Sequence, residues 1–224
     1  MSEIVLGFDA DVVVVAEAWR ELDGRGILDG VAAAGYRVET LNFATFEPGV
    51  LEPEPLMPGY GHWELALCTR LPVLARRDVP IGSIRNDPAS PRDAIVCTVD
   101  LAGVELDVIA VHVSSKIYKL APVRHLRGLV PHLPPRSRHA VLAGDFNFWG
   151  PGVERIFPGW HRSVRGRTYP SHRPHSQIDH ILVRDDIEIL SGEVLAPNGS
   201  DHRPVRARLR VREGPGPGTR GAVG

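Results

Sequence analysis

Val141-Leu142-Ala143-Gly144-Asp145-Phe146-Asn147 sets an apolar run directly against an acid and an amide. Two later stretches do the same. Gln177-Ile178-Asp179-His180-Ile181-Leu182-Val183 places an acid at the head of a β-branched run, and Ser200-Asp201-His202-Arg203-Pro204-Val205 follows the apolar-rich segment 187–196. Such runs read as strands. Together they bring Asp145, Asn147, Asp179, Asp201 and His202 to strand ends. Carboxylate oxygens suit a hard divalent cation, and an amide or imidazolium can donate to a phosphate oxygen.

Working outward, residues 11–16 (DVVVVA) read as another enclosed strand, with Glu17 directly after it. A helix is expected from Leu22 to Ala34, closed by Gly35, and then a strand over 36–43. The segment 47–61 is dense in proline and glycine and reads as a loop. Strands are expected at 63–69, 94–101 and 105–113, the last two forming a hairpin around Gly103. Leu120, Val123, Leu126, Leu129 and Val130 predict a helix over 118–132, disturbed at its start by Pro122. Strands at 138–143, 177–183, 187–195 and 203–211 complete the pattern. The stretch 214–224, GPGPGTRGAVG, is expected to be a flexible tail. Many strands with few helices mean an α/β or α+β fold.

The chain has 224 residues, enough for one domain with a substantial core. Lys and Arg number 26 against 27 Asp and Glu, so no general basic excess exists to wrap a long nucleic acid. Any polyanion contact must use a local patch, for which the basic segment 161–175 is the candidate. Cys68 and Cys97 lie in apolar runs and read as core residues rather than a disulfide or metal pair. No stretch is apolar enough to span a membrane, and the N-terminus lacks a basic n-region. A cytoplasmic monomer is the expectation.

The order and wording of GDFN (144–147), IDHILV (178–183) and SDHRPV (200–205) resemble the endonuclease/exonuclease/phosphatase (DNase I-like) superfamily. The resemblance runs from about Asp11 to Arg212, and the three motifs are specific as a set. It implies an α+β fold: a four-layer α/β/β/α sandwich of two mixed β-sheets flanked by helices, with the site at one sheet edge. It also implies a phosphohydrolase that uses Mg²⁺, or Mn²⁺ in its place. Water would attack in line at a phosphodiester or phosphomonoester of the nucleic-acid, phospholipid or inositol-phosphate class.

Site roles follow from the same resemblance. Glu17 and Asp201 would hold the metal, although Ala16 stands where members commonly have Gln. Asp145 would orient or deprotonate the attacking water, and Asn147 would donate to a phosphate oxygen. His202 would face the scissile phosphate, held by Asp179. His112 would be a second imidazole there, with Glu64 as its possible partner. His180 stands where members commonly have Tyr; strand alternation turns it to the opposite face. Arg167 and Arg173 are the candidate phosphate contacts, with Lys116 and Arg124 as weaker extensions of the patch. No strand ending in the Asn usual for members precedes Glu17, so the domain is expected to span 1–213 without its first strand. That departure keeps a second reading open: a non-catalytic scaffold of the same fold that binds a phosphorylated ligand or partner.

Overall fold

The computed structural model describes residues 2–53, 59–87, 89–116 and 120–212. The chain runs α1 (Ser2–Gly7), β1 (Val12–Glu21), α2 (Asp29–Ala33), β2 (Arg37–Phe46), β3 (Gly61–Thr69), β4 (Val73–Gly82), β5 (Arg92–Leu101) and β6 (Val104–His112). It continues with α3 (Ala121–Leu129), β7 (His139–Asp145), α4 (Gly150–Ile156), β8 (Trp160–Arg162), β9 (Asp179–Arg184), β10 (Ile187–Val194) and β11 (Val205–Val211). Six strands form one sheet in the order β4-β5-β6-β7-β9-β8. It is mixed, because β6 and β7 run parallel while its other pairs are antiparallel. Facing it are an antiparallel trio, β1-β3-β2, and an antiparallel hairpin, β10-β11.

Period-two alternation separates three apolar cores, and these define four layers. On β5, Ile95, Cys97 and Val99 face the core between the sheets, while Ala94 and Val96 face the outer core under α3 and α4. On β6, Val108 and Ala110 point inward, while Ile109 and Val111 point outward. On β3, Leu65 and Leu67 face the central core, while Ala66 and Cys68 face a third core beneath α1 and α2. The fold is thus the α+β sandwich. The same alternation puts Cys68 and Cys97 in different cores, both as buried free thiols. Burial pushes them up to about 12 and about 11, so neither is a ready nucleophile.

Several local expectations need correction. The helix expected over 22–34 shrinks to Asp29–Ala33, and β1 runs on to Glu21 instead. Asp23-Gly24 makes a turn there: Gly24 takes φ +90°, and the Glu21 N–H donates to the Arg25 carbonyl. The helix expected over 118–132 is α3 followed by a 3-10 turn at 130–132. Pro122 sits in its first turn, where a missing N–H disturbs nothing. The pattern missed α1, α4, β8 and β4. The last is an edge strand whose exposed Arg76, Arg77 and Asp78 hide the apolar alternation. Positions 54–58, 117–119 and 213–224, which include part of the expected loop, the helix start and the tail, lie outside the described residues.

α3 carries a buried histidine with a consequence for stability. His125 is fully enclosed, and its Nδ1 accepts the Ser114 N–H at 3.2 Å. Burial holds its pKa down at about 4; the Arg92 charge adds to this and Asp87 opposes it. Between about pH 6.5 and 4 the unfolded chain binds a proton here that the folded chain does not. Stability therefore falls as pH drops through that window. We expect His125 to contribute on the order of 2 kcal/mol to that loss. Urea melts at pH 7 and pH 5 should show it, with a shallower dependence for His125→Asn. An equal slope in both proteins would rule the assignment out.

Candidate active site

Sheet register assembles the site. In the parallel pair β6–β7, His112 stands opposite Asp145; in the antiparallel pair β7–β9, Asp145 stands opposite Asp179. Three strands therefore end in one row of polar side chains, all on the face toward the other sheet. The close β6–β7 approach depends on Gly144 (φ +140°), where an added Cβ would lie 1.9 Å from the Val111 carbonyl oxygen. His180 takes the opposite face, as alternation predicts. It is buried against the Phe146 ring at 5.1 Å, with Nε2 2.9 Å from the Phe148 carbonyl.

Glu17 reaches the row from the second sheet. A bulge between Val15 and Ala18 interrupts β1, and Glu17 there adopts φ +57°. A bulge re-aims the side chain it carries. One Glu17 oxygen lies 3.6 Å from His112 Nε2, and Asp145 Oδ2 lies 3.7 Å from the same atom. Asn147 also has a left-handed backbone, φ +44°. Its N–H donates to Asp145 Oδ1 at 2.8 Å, and its amide donates to Asp145 Oδ2 at 3.0 Å and to the Val113 carbonyl at 3.1 Å. Between these two polar residues, Phe146 is fully buried and pins the turn to the outer core.

His202 comes from the loop before β11. Its Nδ1 lies 3.1 and 3.0 Å from the two Asp179 oxygens, and its ring packs 4.8 Å from Tyr169. Burial disfavours the imidazolium, but the Asp179 hydrogen bond and the charges of Asp179, Asp145 and Asp201 outweigh it, raising the pKa to about 9. Asp145 is held well above the ordinary carboxylate range, first by burial and then by the Asp179 charge. Among the described residues, the tight group of potential metal donors is Asp145, Asp179 and His202, with one atom of each within 4.8 Å of the others.

These residues open into a cavity of about 640 Å³. Its polar end is formed by Glu17, Asp145, Asn147, Asp179, Asp201 and His202. Its apolar end runs between Val12–Val15 of β1 and Val205, Ala207 and Leu209 of β11. Among the described residues β1 pairs only with β3, and β11 only with β10. The cavity is thus bordered by two strand edges.

A profile of the Endonuclease/Exonuclease/phosphatase family matches residues 1–202. The chain belongs to the endonuclease/exonuclease/phosphatase family. Solved structures of similar fold include a family protein from Leptotrichia buccalis (TM-score 0.71, 14% identity, 93% of this chain and 90% of that one). A second, from Beutenbergia cavernae, has TM-score 0.70 and 21% identity over 94% of this chain and 65% of that one. A third is the mannosyl-6-phosphatase of Bacteroides thetaiotaomicron, with TM-score 0.68 and 18% identity over 93% of this chain and 88% of that one. At these identities they show a shared fold. No curated protein matches the chain.

Not every candidate for this family's chemistry converges. Arg167 and Arg173 are exposed and do not line the cavity; Lys116 and Arg203 do. Asp201 lines it from an exposed position, and its carbonyl accepts the Ser171 N–H. Glu64 does not partner His112. It is buried and held by Arg20, whose Nε lies 3.1 Å from both its oxygens. His112 meets Arg92 instead, a residue the sequence did not single out. Pro91-Arg92-Asp93 carries no local signal of chemistry; only the pairing of β5 with β6 brings it to the site.

The donor set fits a divalent cation. Glu17, Asp145, Asp179 and Asp201 are hard oxygen donors on one cavity. The upward shift of buried Asp145 beside Asp179 and Glu17 is what a site short of positive charge produces.

Proposed function

We propose that this chain is a divalent-metal-dependent phosphohydrolase, cleaving a phosphodiester or phosphomonoester by in-line attack of water. The observation that carries the reading is the row His112–Asp145–Asp179, joined at one cavity by Glu17 and His202. Glu17 and Asp201 would hold Mg²⁺ or Mn²⁺. When bound, the cation supplies the charge that keeps Asp145 ionised and polarises the phosphoryl oxygens.

The protein's own groups supply the rest. Asp145 accepts a hydrogen bond from the attacking water and takes its proton. Asn147 turns its amide from Asp145 to a phosphoryl oxygen, donating without adding negative charge. His202, held through Nδ1 by Asp179, presents Nε2–H to the developing charge or the leaving oxygen. Near-neutral net charge and the two exposed arginines outside the cavity favour a small or single phosphate ester over an extended duplex.

The test is hydrolysis of bis(p-nitrophenyl) phosphate and p-nitrophenyl phosphate with Mg²⁺ or Mn²⁺ and with EDTA. Turnover that needs the metal and disappears in EDTA is expected. A folded protein inert toward both esters and toward short oligonucleotides and phospholipids would overturn the reading in favour of a binding scaffold.

A further inference from the structure

Arg92 begins β5 and His112 ends the neighbouring β6. Arg92 is 6% exposed. Its guanidinium lies over the Phe43 ring, 4.3 Å from the centroid, and its Nε is buried with no hydrogen-bond partner. Nη1 lies 3.1 Å from His112 Nδ1 and 3.3 Å from the His112 carbonyl oxygen. The His112 ring stands edge-on to the same Phe43, at 4.9 Å. Phe43 thus fixes both partners.

A guanidinium has donors and no acceptor. An Arg N–H aimed at Nδ1 leaves no room for a proton on that nitrogen. Nδ1 is therefore an acceptor, and the single ring proton sits on Nε2. Nε2–H points between Glu17 and Asp145, at 3.6 and 3.7 Å. Both distances are too long for good hydrogen bonds. The donor is held at the cavity wall with neither carboxylate fully engaging it, where an entering oxygen can. Had Glu64 been the partner, it would have accepted Nδ1–H and left Nε2 a bare base. The exchange of a carboxylate for a guanidinium inverts the polarity of the imidazole.

We propose that Arg92 is a positioning residue that locks His112 in its Nε2–H tautomer, so that His112 serves as a hydrogen-bond donor to a phosphoryl oxygen. This rests on the phosphohydrolase reading for its acceptor but not for its tautomer. Losing an Arg–His contact that only braced the sheet would lower stability. Losing this one changes which nitrogen carries the proton.

The experiment has two arms. In the first, ¹⁵N-edited NMR of histidine-labelled wild type reads the tautomer directly. A protonated Nε2 and bare Nδ1 are expected, retained in Arg92→Lys and mixed in Arg92→Met. A protonated Nδ1 in wild type overturns the proposal, whatever the protein hydrolyses. In the second, Mg²⁺-dependent hydrolysis of bis(p-nitrophenyl) phosphate is compared across His112 variants whose folding circular dichroism confirms. His112→Gln keeps an amide donor in place of Nε2–H and should stay within about tenfold of wild-type kcat, while His112→Leu should lose about 100-fold. Arg92→Met should lower kcat more than it raises KM, and Arg92→Lys should recover most of it. Equal losses in the Gln and Leu variants would make His112 a proton acceptor and sink the idea. If wild type shows the expected tautomer but no turnover, the phosphohydrolase reading fails and with it the phosphoryl acceptor, while the Arg92 lock stands.

Discussion

Asp145→Ala is expected to lower metal-dependent hydrolysis of bis(p-nitrophenyl) phosphate by at least about 1,000-fold, the range for losing a proton acceptor beside a metal site. The loss should fall on kcat, because an interaction with the attacking water counts most in the transition state. The side chain is nearly enclosed, and it accepts both the N–H and the amide of Asn147. Truncation would thus remove the proposed proton acceptor and release Asn147 together. Stability should move the other way. Burial and neighbouring negative charge already disfavour the ionised carboxyl, so its removal relieves repulsion. A melting temperature equal to or above wild type, measured without metal, would match the strain that functional sites carry. Turnover within tenfold of wild type would remove Asp145 from the chemistry.

His202→Ala is expected to cost about 100- to 1,000-fold in kcat, the range for losing one donor aimed at developing charge. His202 is only partly enclosed and sits on a loop, so the fold should tolerate the change. The informative comparison is Asp179→Asn. In the proposed mechanism Asp179 acts through His202, whose Nδ1 lies 3.0 Å from its carboxylate. Asparagine can still accept the ring N–H, but without the charge that stabilises the imidazolium. A loss of about 10-fold is expected, smaller than that of His202→Ala. The double variant should then be no worse than His202→Ala alone, since residues acting as one unit are not additive. Fully additive losses would mean that Asp179 has a separate task, such as binding the cation.

The parts of the fold legible in the sequence are those whose burial is local. On β6, β7 and β9, apolar residues alternate or run together because the strands are covered on both faces. Their ends show because a polar group directly after such a run has few structural reasons to be there. β4 was not legible: it is a charged edge strand held by backbone pairing with β5, and pairing leaves little trace in side-chain pattern. The helix after β1 was overread because its apolar spacing outweighed Asp23-Gly24, which instead makes a turn.

By itself the sequence determined which polar residues stand at strand ends, and on which strand face each lies. His180 turned away from Asp179 follows from a period of two. Tertiary structure decided which strands are neighbours and in what register. Only the pairings His112 with Asp145 and Asp145 with Asp179 make one row of three separate motifs. Only the β5–β6 hairpin sets Arg92, and not Glu64, against His112. Strand order and register depend on how three apolar cores close at once, and that closure joins residues far apart in the chain. A local run of residues can encode its own face, but it cannot encode its neighbour.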